Sequence, residues 1–112
     1  MKSIYIAGPM QGVRNFNYPH FDEVASALRL GGWRVENPVE IGNRFGTAKQ
    51  IAADRDLLAK VIEAELEAVS KCDAIYLLLG WHRSPGAKAE LAIAIKNGAQ
   101  VILEGGTHEI RP

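Results

Sequence analysis

The chain has a single cysteine, Cys72. One thiol cannot close an internal disulfide, so the fold needs no disulfide framework and a reducing cytoplasm suits it. An excess of one charge is also lacking: 13 basic and 13 acidic residues give a formal net charge of zero. Bulk nucleic-acid binding needs a basic surface, which excludes that class but leaves room for a local basic pocket. No apolar run approaches the roughly 20 residues that span a membrane. The first apolar run stops at Gly8-Pro9, so no signal peptide is expected and a cytoplasmic location is. His20, His82 and His108 show no ligand spacing, and no metal site is predicted. Repeats, low-complexity segments and linkers are missing too. What is there is a chain of 112 residues, 47% hydrophobic and 23% charged. That is the profile of one ordinary globular domain over residues 1–112.

Strand and helix signals alternate. Ile4-Tyr5-Ile6-Ala7 reads as a short buried strand ending at Gly8-Pro9. Residues 10–18 form a loop rich in turn formers and aromatics. Pro19 suits a first helical turn, and Phe21, Val24, Ala25 and Leu28 share one face. Asp22 and Glu23 lie near the positive end of that helix, and Gly31-Gly32 stops it. Residues 33–37 alternate like a strand, and residues 39–46 read as loop. Thr47 and Gln50 make a capping box for a long helix to about Lys71, with Ile51, Leu58, Ile62, Leu66 and Val69 inward. A break near Asp54-Arg55-Asp56 is left open. A central strand follows over residues 74–79. The next helix runs over residues 85–97, with Ala87, Leu91, Ala94 and Ile95 on one side and Asn97-Gly98 as its stop. Gln100-Val101-Ile102-Leu103 is a last strand, and residues 104–112 form a tail.

This alternation predicts an α/β fold with a parallel sheet of about four strands, covered on both faces. Such sheets bind ligands beyond the carboxyl ends of their strands. The Gly8 loop and the Ser84 loop both leave carboxyl ends, so they should lie together.

Ser84-Pro85-Gly86-Ala87 is the segment richest in chemical possibility. A hydroxyl and free amides at a helix start can hold an anion, with His82 and Arg83 adjacent to add charge. The plainer reading is a helix cap followed by close packing of small residues, and the two are compatible. Glu90 follows six residues on; that stretch of helix covers about 9 Å, comparable to the span from a 5′-phosphate on Ser84 to a carboxylate beneath a sugar's anomeric carbon. A carboxylate there can act as nucleophile, whereas a lone helical Glu is ordinarily solvated. Gly8-Pro9-Met10-Gln11-Gly12 is neither a P-loop nor a dinucleotide fingerprint. Its small residues either admit a ligand to the backbone or simply turn the chain. Tyr5, Phe16 and Tyr18 either stack a base or pack. Of Glu63, Glu65, Glu67 and Asp73, one can protonate a departing base, although alternating Glu residues are mostly solvated. Trp81-His82 reads as a lid or an exposed edge.

Together, Tyr5-Ile6-Ala7-Gly8-Pro9-Met10, residues 15–19, residues 72–78, Gly80-Trp81 and Ser84-x-Gly86-Ala87-x-x-Glu90 resemble a group of short bacteriophage and bacterial proteins. That group is similar in turn to the nucleoside 2-deoxyribosyltransferase superfamily, which includes the 2′-deoxynucleoside 5′-phosphate N-hydrolases. The resemblance implies a flavodoxin-like (Rossmann-like) three-layer sandwich and a carboxylate nucleophile at Glu90. It also implies an acid assisting the leaving base at the place of Glu65, where the superfamily usually carries Asp. A Ser at the Ser84 position marks the branch that acts on monophosphates, consistent with an Asp there repelling a phosphate that Ser would bind. Expected substrate contacts are Tyr5, Gly8, Pro9 and Met10 on the sugar and base side and Ser84, Gly86 and Ala87 at the phosphate.

The function expected is therefore N-glycosidic cleavage or base transfer on a 2′-deoxynucleoside 5′-monophosphate. The alternative is a phage protein that binds a nucleotide or nucleotide-derived signal without turning it over. No cofactor is expected, the partner is a small-molecule nucleotide or nucleoside, and a homo-oligomer is implied because the superfamily completes its sites with C-terminal segments of a neighbouring subunit.

Overall fold

In a computed structural model the described residues are 1–106 together with the backbone of Glu109–Ile110. Strands β1 (Ser3–Ala7), β2 (Arg34–Glu36), β3 (Ala74–Leu77) and β4 (Gln100–Leu103) form a parallel sheet in the order β2-β1-β3-β4. This is the flavodoxin-like α/β order, in which the chain leaves β1 toward one edge and later returns to build toward the other. A short β5 (Glu109–Ile110) pairs antiparallel with β4, where the sequence reads only as tail.

Alternation along β1 assigns the two layers. Ile4 and Ile6 face Phe21, Val24 and Ala25 of α1 (Tyr18–Leu30). Tyr5 and Ala7 face the other way, toward Val69 of α4 (Arg55–Ser70) and Ala87 and Ala94 of α5 (Pro85–Lys96). All five residues of β1 are buried, as a central parallel strand requires. Cys72 is a free, buried thiol that burial pushes up to about 11.

Between β2 and β3 the chain departs from the sequence reading. Residues expected as loop form α2 (Pro38–Asn43). Asn37 caps it, its Oδ1 accepting from the Val39 amide at 3.0 Å, and Pro38 occupies the first turn, where no amide is missed. The long helix divides in two at Asp54, within the stretch where the sequence left a break open. Thr47 and Gln50 form the predicted capping box and open α3 (Ala48–Ala53). Asp54 is extended at φ −122°, ends α3 and caps α4, its Oδ1 accepting from the Asp56 and Leu57 amides at 3.0 and 3.1 Å. One cap of this kind is worth about 1 kcal/mol.

Other boundaries shift by a residue or two. β3 ends at Leu77 rather than Leu79, and Leu79 is 71% exposed. Ile62, expected inward, and Ile95, expected to share a face with Ala87, Leu91 and Ala94, are 45% and 49% exposed. No helix among the described residues is long and apolar enough to cross a membrane.

Candidate functional site

The register pairs Ala7 with Leu77, so β1 and β3 end level with each other. The Gly8-Pro9 loop and the loop over residues 78–84 therefore leave the sheet side by side. They touch: a β-carbon on Gly80 would sit 3.4 Å from Pro9 Cγ. Gly80 itself turns the chain at φ 86°. Gly8 is small for a reason internal to the fold, since a β-carbon there would meet Leu78 Cβ at 2.7 Å. Ligand access is not needed to explain it.

Above these ends lies a cleft of about 490 Å³. Its floor is the Gly8 loop and the start of α5. One wall comes from Val61, Ile62 and Glu65 of α4, and another from Met10, Phe16 and Tyr18. Pro38 and Gly42 of α2 and Ala48, Ile51 and Ala52 of α3 form the far side. The exposure of Ile62 has its account here, since it faces the cleft instead of the core.

Ser84 is extended and caps α5, its Oγ accepting from the Ala87 amide at 3.2 Å. Pro85 has no amide hydrogen. The Ser84 hydroxyl proton and the Gly86 amide are thus the donors left for an incoming anion. A β-carbon on Gly86 would meet nothing nearer than Ser84 Oγ at 3.9 Å, so the space there is open. Arg83 lines the same end of the cleft.

Glu90 lies one and a half turns further along α5. It lines the cleft yet is only 8% exposed. Tyr5, wholly buried on β1, donates its hydroxyl to Glu90 Oε2 at 2.5 Å. Burial pushes Glu90 up to about 8; the Tyr5 hydrogen bond pulls it down, and the nearby charge of Glu65 adds to the rise. Glu65, partly buried on α4, is raised by burial to about 7. The Tyr5 hydroxyl is held well above its ordinary range by burial and by Glu90 and Glu65. Two carboxyl groups from different helices thus share one cleft, and Arg83 lines it beside the Ser84 cap.

Of the residues singled out from the sequence, Gly8, Pro9, Met10, Glu65, Ser84, Gly86, Ala87 and Glu90 line this one cleft. Tyr5 does not; it lies beneath and holds Glu90. The remaining acids lie elsewhere. Glu63 is exposed, Glu67 pairs with Lys71 at 3.1 Å, and Asp73 accepts from Ser3 at the amino end of the sheet. His20 meets Glu104 at 2.5 Å, and Glu104 Oε1 accepts from the Leu79 amide. Trp81 packs against the α4–α5 layer rather than forming a lid, and His82 is exposed. His108 and most of the C-terminal segment expected to reach a neighbouring subunit lie outside the described residues. No three His, Cys, Asp or Glu side chains converge among the described residues.

Two contributors escaped the sequence reading. The α2 and α3 side of the cleft was missed, although Asn37-Pro38 carries a cap signal. The Tyr5–Glu90 bond joins residues 85 apart in the chain, and no local pattern announces it.

No curated protein matches the chain. The family profile described as Domain of unknown function (DUF4406) matches residues 2–103, so the chain belongs to the DUF4406 family.

Proposed function

We propose that the cleft cleaves or transfers the N-glycosidic bond of a 2′-deoxynucleoside 5′-monophosphate. The observation that carries this reading is the buried Glu90 carboxyl opening onto the same cleft as the Ser84 cap and a second acid, Glu65. The Ser84 hydroxyl and the Gly86 amide take the 5′-phosphate, with Arg83 adding charge. The pentose then lies over the first turns of α5, with its anomeric carbon near Glu90.

In the first step a Glu90 oxygen attacks the anomeric carbon as the bond to the base breaks. Glu65 gives its proton to the base, and a glycosyl ester remains on Glu90. In the second step water, or another base, attacks the same carbon, the ester bond breaks, and the proton of the incoming group goes to Glu65. A carboxyl raised to about 7 is suited to proton transfer near neutrality. The Tyr5 hydrogen bond favours the ionised Glu90 that the first step needs. This chemistry calls for no cofactor.

A second reading has its own support. Burial that pushes Glu90 up to about 8 keeps it mostly protonated at neutral pH, which suits a pocket that binds a nucleotide by hydrogen bonding without turnover.

Incubation with a panel of deoxynucleosides and their monophosphates, read as released base, separates the two. Release from monophosphates and its loss in a folded Glu90→Ala protein are expected. Binding without release would favour the second reading, and equal release from nucleosides and monophosphates would refute the phosphate assignment.

A further inference from the structure

The turn that carries Phe16 is wound against its backbone preference. Asn15, Phe16 and Asn17 have φ of 54°, 55° and 62°, three consecutive residues in the left-handed region. Asparagine enters that region readily, but a bulky aromatic residue there is a steric outlier. Starting α1 does not by itself demand it, since Pro19 already suits the first turn. Among the bonds that hold the turn, one reaches across to the Gly8-Pro9 loop and another closes the turn on itself. Asn17 Nδ2 donates to the Pro9 carbonyl at 3.0 Å, and the Phe16 amide donates to the Val13 carbonyl at 2.9 Å.

Both ends of the clasp belong to the cleft. Pro9 is part of its floor, and Phe16 is on its wall. The Phe16 ring lies 6.2 Å from that of Tyr18 at a tilt of 54°. Tyr18 and Glu65 line the same cleft, which sets this aromatic pair on the cavity that holds the acid assigned to the leaving base. Strain of this kind persists only where the surroundings over-determine it, and it gathers at ligand contacts.

We propose that Asn17 is a positioning residue: its clasp on the Pro9 carbonyl keeps the left-handed turn in place and so holds the Phe16 ring on the cleft wall as the platform for the ligand's planar base. This rests on the nucleotide reading of the cleft.

The test is calorimetry in a Glu90→Gln background, so that binding is read without turnover. The ligands are the 5′-monophosphates of deoxyadenosine and deoxycytidine, and base-free 2-deoxyribose 5-phosphate. Asn17→Gly keeps the positive φ at no steric cost and removes the clasp. It is expected to raise the Kd of both nucleotides about tenfold, the size of a lost stacking contact, and to leave the base-free sugar phosphate unchanged. Phe16→Leu should give the same pattern. The double variant should be no weaker than Phe16→Leu alone, because Asn17 acts through the ring.

Equal weakening of all ligands, additive losses, or an unchanged nucleotide Kd in Asn17→Gly would each overturn the assignment while leaving the nucleotide reading intact. Failure of the Glu90→Gln protein to bind any of these ligands, with no base released by the unaltered protein, would overturn both.

Discussion

Glu90 is an acid placed where ionisation is expensive, and that makes the protein's stability depend on pH in a definite direction. Its ordinary value of 4.5 rises to about 8 in the fold, chiefly through burial. A raised carboxyl contributes its full stabilisation below the unfolded value and loses it as pH climbs through the folded one. Between about pH 4.5 and about pH 8 the folded chain keeps a proton that the unfolded chain releases, so stability falls with rising pH. Glu65 adds to the same slope up to about 7. Glu90→Gln removes the larger part. Melting curves from about pH 5 to about pH 9 should show the variant gaining on the unaltered protein by about 5 °C or more. A constant difference across that range would mean that Glu90 ionises freely. The sequence showed Glu90 as a candidate through its spacing from Ser84, but not its burial. That depends on a Tyr hydroxyl brought up from the far end of the chain. Left-handed Phe16 was equally hidden, with only its flanking asparagines as a hint.

Among the elements, those with strong local signals were legible. β1, β4, the Thr47 box and the Ser84 cap all depend on residues adjacent in sequence, and each forms where those residues stand. α2 was not: residues 39–46 read as loop, whereas Pro38 in fact starts a helix. The division of α3 from α4 was left open at Asp54-Arg55-Asp56, because deciding it needed Asp54 to be recognised as a cap.

The start of α5 offers a test of its own. Gly86 is a poor helix residue with open space around its α-carbon. Gly86→Ala should gain about 0.5 kcal/mol from helix propensity. The added methyl group would stand where an anion is proposed to sit. Thermal unfolding should therefore show a more stable protein, and calorimetry one that loses affinity for monophosphates but not for nucleosides. Equal losses for both would move the phosphate away from this turn.

For the molecule as a whole, the seam between β1 and β3 matters most. Gly8 and Leu78 approach there more closely than any side chain at position 8 permits, since a methyl group at Gly8 would fall 2.7 Å from Leu78 Cβ. Gly8→Ala must push the two strand ends apart and should cost about 1–3 kcal/mol, read as a lower midpoint in urea unfolding. An unmoved midpoint would show that the seam yields freely. The three-layer arrangement could be read from the alternation of strands and helices. That the seam would be this tight could not, since it depends on the register of residues 70 positions apart.

That separation has a bearing on the chain's own synthesis. The first half emerges from the ribosome carrying a glycine turn whose packing partner, Leu78, has yet to be made. That junction cannot accumulate by degrees as the polypeptide lengthens. It arrives late and at once, when β3 slots beside β1, and a bound ligand would then act as a rivet across the join.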